Sequence, residues 1–139
     1  SHRTMPKTVL LVEDNRINRL VLRHILEQGD IEVASADNGN DALTAMQERL
    51  FDAVLLDIEM ADIRGSEIIE ALRAFEENTG RPRQSIVALT AHGVSAERQR
   101  ISDAGVDGFV TKPVRSEELL ESIRLALHPH GRRSASLTS

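Results

Sequence analysis

Residues 53–56, AVLL, followed directly by Asp57, are the stretch that decides the fold. A short apolar run that ends in a polar residue is typical of a parallel strand buried on both faces. Three further runs of this kind are VLLV at 9–12, IVAL at 86–89 and GFVT at 108–111. Helical patterns alternate with them, so the sequence predicts an α/β fold with a parallel sheet covered on both faces.

The alternation gives five predicted strands and five predicted helices. The strands are expected at about 8–12, 32–35, 52–56, 85–89 and 108–111. The helices are expected at about 15–27, from about 38 onwards, and at 66–76, 95–104 and 116–127. Helix periodicity places four side chains on one face of the first helix, namely Ile17, Leu20, Val21 and Ile25. It directs four side chains of the second helix inward, namely Ala42, Leu43, Met46 and Leu50.

Composition limits the classes of function. The 139 residues suit one domain, and no apolar stretch is long enough for a membrane helix. The chain has no cysteine, which excludes disulfides and is compatible with a reducing, cytoplasmic compartment. A net charge of -5 without a basic stripe, and only 2% aromatic residues, argue against direct contact with nucleic acid. Contact with a membrane is not expected either.

The chain ends differ from its middle. Residues 1–6 are interpreted as a tag or flexible lead-in, and residues 7–127 as one domain. Residues 128–139 are small, polar and rich in turn formers, so they are predicted to be a disordered tail.

Polar residues follow the apolar runs, and the carboxyl ends of parallel strands meet at one crevice. Glu13, Asp14 and Asp57 are therefore expected to lie together, with Thr90 and Lys112 beside them. Two carboxylates 4 Å apart repel by about 4 kcal/mol at an effective dielectric near 20. Either one acid is protonated or a hard cation binds, and oxygen ligands favour Mg²⁺, Mn²⁺ or Ca²⁺ over zinc.

Lys112 adds a positive point charge to this crevice, and Thr90 adds a hydroxyl donor. A carboxylate between a divalent cation and a lysine is suited to accept a phosphoryl group, because the charge on the phosphoryl oxygens is what needs stabilising. A simpler interpretation of Glu13 and Asp14 is that they only favour the start of the next helix.

Four segments closely resemble response-regulator receiver domains of two-component signalling: VEDN at 12–15, LLDIEM at 55–60, ALTA at 88–91 and GFVTKP at 108–113. They occur in the family's order, and the resemblance extends over about residues 7–127. It is greatest to receivers attached to hybrid histidine kinases. It implies a flavodoxin-like, doubly wound sheet of five parallel strands in the order 2-1-3-4-5, with five helices.

The resemblance also implies the metal site. Asp57 would be the phosphoacceptor, and Asp14 and Asp57 would bind Mg²⁺ (or Mn²⁺) directly. Glu13 would act through water, and the backbone carbonyl of Glu59 would be a further ligand.

The remaining implied roles concern switching. Lys112 would contact the phosphoryl group, Thr90 would move to bond it, and Phe109 would be the aromatic switch residue. The fourth helix, fifth strand and fifth helix would form the switching face. The donor would be a histidine kinase or a histidine phosphotransfer domain, and the downstream effector is not identified. An isolated receiver would not be an enzyme beyond its own phosphorylation and dephosphorylation, although the parent chain could be a hybrid sensor kinase.

The sequence departs from the family pattern after Glu59. Ala61 stands where the family usually has proline, and Arg64 where it usually has an acid before Gly65. Because proline restrains the backbone, its absence predicts a less restrained loop.

Three other functions are open to a domain of this pattern. A receiver-like module that signals by contact alone would need no phosphoacceptor. A phosphatase with an aspartyl intermediate would need a second aspartate where this chain has Glu59. A flavin-binding domain of this topology would need a phosphate-cradling loop after the first strand, and the sequence has none.

Overall fold

The computed structural model describes residues 6–91 and 95–128. Nearly all of the predicted lead-in and tail lies outside these residues. The strands are β1 (Thr8–Val12), β2 (Glu32–Ala36), β3 (Ala53–Asp57), β4 (Ile86–Thr90) and β5 (Gly108–Thr111). The helices are α1 (Arg16–Gln28), α2 (Gly39–Glu48), α3 (Gly65–Thr79), α4 (Ala96–Ala104) and α5 (Ser116–Leu127).

The five strands form one parallel sheet in the order β2-β1-β3-β4-β5. This confirms the predicted flavodoxin-like, doubly wound α/β fold. Leu56 of β3 pairs with Val12 of β1 and with Ala88 of β4. The carboxyl ends of the three central strands therefore lie side by side, and the residues that follow them share one edge of the sheet.

Side chains of the strands alternate between two apolar clusters, as a period of two requires. One cluster packs α2, α3 and α4 against Leu10, Val12, Val54, Leu56, Ile86 and Ala88. The other packs α1 and α5 against Val9, Leu11, Ala53, Leu55, Val87, Leu89 and Val110. Because β1, β3 and β4 are covered on both faces, their sequences are nearly continuous apolar runs.

The expectation that the apolar face of α1 packs against the core is wrong for three of its four residues. Ile17, Leu20 and Val21 are 64%, 50% and 54% exposed, whereas Ile25 is buried. The core-facing stripe also contains Leu22 and Leu26. The helix therefore has two apolar stripes, and helical periodicity alone could not tell which one faces the sheet.

The inward assignment of Leu50 is also wrong. Helix α2 ends at Glu48, so Leu50 lies beyond the helical period and is 43% exposed. Strands β3 and β4 each begin and end one residue later than predicted, which makes Asp57 and Thr90 their last residues. Helix α3 continues to Thr79 and is ended by Gly80, whose φ of 72° is left-handed.

Candidate functional site

Three acids meet at the carboxyl edge of the sheet. Asp57 is the last residue of β3, and Glu13 and Asp14 directly follow β1. One carboxylate oxygen of each lies within 4.8 Å of the others, as the order of the strands predicts. Asp57 is 3% exposed and Glu13 is 1% exposed, whereas Asp14 is at the surface. The cluster is therefore open to solvent on the side of Asp14.

Lys112 supplies the positive charge at this edge. Its Nζ donates to Asp57 Oδ1 and Oδ2, at 3.2 and 3.1 Å, and to Glu59 Oε1, at 3.1 Å. Although burial lowers the pKa of Lys112, its hydrogen bonds and charge interactions with Glu59 and Asp57 outweigh this effect, so the pKa is raised. The ammonium group is therefore charged at neutral pH. The Lys112–Pro113 peptide bond is cis.

The environment of Glu13 is unfavourable for a second buried negative charge. Its pKa is raised to about 7, mainly by burial and further by the hydrogen bond and charge of Asp57. The Asn15 N–H, which donates to Glu13 Oε2 at 3.0 Å, and the charge of Lys112 lower the pKa. Glu13 Oε1 is buried without a hydrogen-bond partner within the part of the chain that the structure describes. An acidic cluster with an unpaired buried oxygen fits a hard divalent cation such as Mg²⁺.

The other candidate ligands make different contacts. Asp14 Oδ2 accepts a hydrogen bond of 3.1 Å from the backbone N–H of Ala61. The side chain of Glu59 extends to Lys112, and its backbone N–H donates to Asp57 Oδ1 at 2.9 Å. The predicted metal contact of the Glu59 carbonyl stays a prediction.

Thr90 is the last residue of β4, and Phe109 lies in β5. The buried Thr90 hydroxyl donates to the carbonyl of Ala91 at 3.3 Å and not to one of the acids. Phe109 is half-buried, and the guanidinium carbon of Arg98 on α4 lies 4.5 Å from its ring centroid. The switch roles of both residues stay predictions.

A groove of about 300 Å³ adjoins the acceptor edge. It is lined by residues that follow β1 and β5 and by one side of α1. Glu13 and Lys112 belong to both the groove and the acidic site, and the exposed Val21 of α1 also lines the groove. The surface stripe of α1 is therefore adjacent to the site.

Two contacts of the loop that follows β3 were not found from the sequence. Asp62 accepts hydrogen bonds from the backbone N–H groups of Gly39 and Asn40 at the start of α2. Ala61 donates to Asp14, which a proline could not do. The loop was expected to be less restrained because it lacks a proline at position 61. These hydrogen bonds restrain it in another way. The substitution at position 61 was visible in the sequence, but its partner depends on the folded loop.

Comparisons with known proteins agree with this geometry. Residues 9–124 match the response regulator receiver domain family. The chain is 38% identical over 133 residues to the sensor histidine kinase GacS of Pseudomonas protegens, covering 92% of this chain and 14% of that protein. It is 30% identical over 120 residues to the polar-differentiation response regulator DivK of Brucella anthropi, covering 86% of this chain and 95% of that protein. The chain thus spans a small part of the sensor kinase and almost the whole of the response regulator.

Solved structures have the same fold. One is the receiver domain of the sensor histidine kinase PA1611 from Pseudomonas aeruginosa, with a magnesium ion coordinated in its active-site cleft. The TM-score is 0.78 at 27% identity, over 88% of this chain and 98% of that one. Another is the receiver domain of Ssk1 from Saccharomyces cerevisiae, in complex with the histidine phosphotransfer protein Ypd1. Its TM-score is 0.76 at 29% identity, over 87% and 89% of the two chains.

Among the described residues, no helix has the length and apolar character needed to cross a bilayer. The order of the strands, the acids at their carboxyl ends and the family match over residues 9–124 lead to one assignment. This chain belongs to the response regulator receiver domains of two-component signalling.

Proposed function

We propose that this receiver takes a phosphoryl group from a phosphohistidine onto Asp57, with Mg²⁺ (or Mn²⁺) as the cofactor. The observation that carries the proposal is the contact between Asp57 and Lys112. Both oxygens of a carboxylate that is 3% exposed lie within 3.2 Å of one ammonium group, next to two further acids. A structural ion pair would not need Glu13 and Asp14 beside it, because they add repulsion.

In the transfer, phosphorus exchanges its bond to a histidine nitrogen for a bond to a carboxylate oxygen. An oxygen of Asp57 bonds to phosphorus while the bond between phosphorus and the donor imidazole breaks. The imidazole leaves with the electron pair and regains a proton. Mg²⁺ held by Asp14 and Asp57, and by Glu13 through water, would neutralise charge on the phosphoryl oxygens. Lys112 would then exchange its contacts with the carboxylates for one with a phosphoryl oxygen.

The donor must approach Asp57 from the open edge of the sheet. The exposed stripe of Ile17, Leu20 and Val21 lies on α1, and Val21 lines the groove that contains Lys112. A cluster of large apolar side chains at the surface marks a protein contact. A histidine kinase or histidine phosphotransfer domain that covers this stripe would bring its imidazole to the acceptor.

We further propose a cellular context and a response for this receiver. The receiver works in the cytoplasm, either alone or within a hybrid kinase, and it acts only on its own phosphorylation and dephosphorylation. The phosphoryl group would recruit Thr90, and Phe109 would respond with it. A change in the positions of α4, β5 and α5 would pass the signal to an effector.

The test is intact mass spectrometry after incubation with a small phosphodonor and Mg²⁺, and separately with a histidine phosphotransfer protein phosphorylated on histidine. The wild type should gain the mass of one phosphoryl group. Asp57→Asn should gain none. Asp52→Asn is the matched control, because Asp52 lies next to the opposite end of β3, where it accepts from the Thr8 N–H. It should be modified like the wild type.

No mass gain from either donor would contradict the proposal and favour a module that signals by contact alone. A mass gain that persists in Asp57→Asn would assign the phosphoryl group to another residue. Multiple turnover of a phosphoester would instead indicate a phosphatase.

A further inference from the structure

The loop between β3 and α3, residues 58–64, is fastened to the start of α2. The backbone N–H of Gly39 donates to both carboxylate oxygens of Asp62, at 3.0 and 2.9 Å, and the N–H of Asn40 donates to Oδ2 at 3.2 Å. These N–H groups are among the first four of the helix, which have no partner within it. The carboxylate is also favoured there by the helix dipole.

The same helix end has a second, independent cap. Asn38 precedes α2, and its side-chain oxygen accepts from the N–H of Asp41 at 2.7 Å. Asp62 and Asn38 therefore share the capping of one helix turn, but only Asp62 belongs to the loop that follows the acceptor. Removing Asn38 should therefore affect only the stability of α2, whereas removing Asp62 should also affect the position of the loop.

The loop lies directly against the helix start. A Cβ added to Gly39 would lie 1.9 Å from Cγ2 of Ile63, so only glycine permits this approach. Burial alone would raise the pKa of Asp62, but its bonds to the N–H groups of Gly39 and Asn40 lower the pKa below the ordinary value. The contact is thus one made by the charged carboxylate.

The residue next to Asp62 contacts the acidic cluster. The N–H of Ala61 donates to Asp14 Oδ2 at 3.1 Å, and the same carboxylate offers one oxygen to the acidic cluster. Asp14 is exposed, so packing restrains its side chain less than that of the buried Glu13 and Asp57. Hydrogen bonds to ligating carboxylates set their direction, and their loss weakens metal binding.

We propose that Asp62 is a positioning residue for the metal site. Its bonds to Gly39 and Asn40 hold the loop so that the Ala61 N–H points at Asp14, and this bond keeps the Asp14 carboxylate turned towards the ion. The inference deepens the proposed function and rests on it, because it takes Mg²⁺ as the ion bound by Asp14.

The test is Mg²⁺ binding by isothermal titration calorimetry, without any phosphodonor. Asp62→Ala should weaken Mg²⁺ binding about tenfold, which is the lower end of what lost supporting bonds cause. Asp62→Asn should lie between, because an amide oxygen can still accept from Gly39. Asn38→Ala is the matched control: it removes the other cap, so urea unfolding should show lower stability while Mg²⁺ affinity stays at the wild-type value.

The second arm changes the donor itself. Ala61→Pro removes the N–H and should weaken Mg²⁺ binding as Asp62→Ala does, whereas Ala61→Gly keeps the N–H and should bind like the wild type. The double variant of Asp62→Ala and Ala61→Pro should bind no more weakly than the weaker single variant, because both act through one bond.

The outcomes are distinguishable. Wild-type affinity in Asp62→Ala or in Ala61→Pro would overturn the inference and leave the proposed function intact. Equal weakening in Asn38→Ala would also overturn it, since helix stability would then be the cause. Additive losses in the double variant would show two separate effects and contradict the single route. Failure of the wild type to bind Mg²⁺ would instead count against the proposed function.

Discussion

Glu97, in the first turn of α4, accepts two hydrogen bonds from Ser66 at the start of α3. The backbone N–H of Ser66 donates to Oε2 at 3.0 Å and its hydroxyl to Oε1 at 3.1 Å. Ser66 is fully buried. A side chain of α4 therefore caps α3, and it links the element expected to switch to the helix that follows the acceptor loop.

We expect Glu97→Ala to loosen α4 more than the rest of the molecule. Two bonds to a carboxylate are lost and a buried N–H is left unpaired, so unfolding free energy should fall by about 1–3 kcal/mol. Hydrogen exchange measured by mass spectrometry should rise most in α4 and the first turn of α3. Glu117→Ala, in the exposed first turn of α5, is the control and should change neither quantity by much. A uniform rise over the sheet would contradict a local link.

Phe109 is expected to report the switch. The chain has three phenylalanines, so carbon-13 labelled phenylalanine gives few NMR signals. Adding a phosphodonor and Mg²⁺ should shift the ring signals of Phe109, because its contact with Arg98 on α4 would change. Phe51 and Phe75 contact Arg49 and Arg81 instead and serve as internal controls.

The shift of Phe109 should be absent in Asp57→Asn under the same conditions. Equal shifts of all three rings, or a shift that persists in Asp57→Asn, would show that the ring does not respond to the acceptor.

The pKa of Glu13 predicts how stability depends on pH without metal. It is about 7 in the folded chain and 4.5 in the reference state, so the folded state binds the proton more tightly. The contribution of Glu13 to stability is therefore fully present below pH 4.5 and should be lost as pH rises through 7, on the order of 3 kcal/mol at most. Urea unfolding in a chelator at several pH values measures this contribution as the difference between wild type and Glu13→Gln. A difference that grows in the opposite direction would contradict the sign.

Asp57→Asn should lower the pKa of Glu13. Part of the upward shift comes from the hydrogen bond and charge of Asp57, and the amide removes that charge. Burial is the largest cause and remains, so the pKa should stay above 4.5. Carboxyl carbon-13 shifts of Glu13, titrated without metal in wild type and variant, measure both values. An unchanged pKa would mean that burial accounts for the whole shift.

The fold could be predicted because apolar runs alternate with helical periods, and the site because polar residues follow those runs. Asp57 and Lys112 meet for this reason, although 55 residues separate them in sequence. The exposure of Ile17, Leu20 and Val21 could not be predicted, since α1 has two apolar stripes and only tertiary packing selects one.

The contacts of Asp62 and Glu97 could not be predicted for a different reason. Each is an ordinary surface acid in sequence, and its partner is a backbone N–H of another element. Such partners are set by how loops and helices approach one another. The pattern of residue types in the sequence does not indicate how closely a loop and a helix approach each other.

Helix α4 has one buried side chain, Ile101, whereas α3 buries six residues. Its attachment to the core therefore depends on few apolar side chains. A movement of α4 would expose little apolar surface. The hydrophobic effect therefore opposes such a movement only weakly. Helix α4 is thus held in the core by fewer buried side chains than α3, which supports the proposal that phosphorylation of Asp57 moves it.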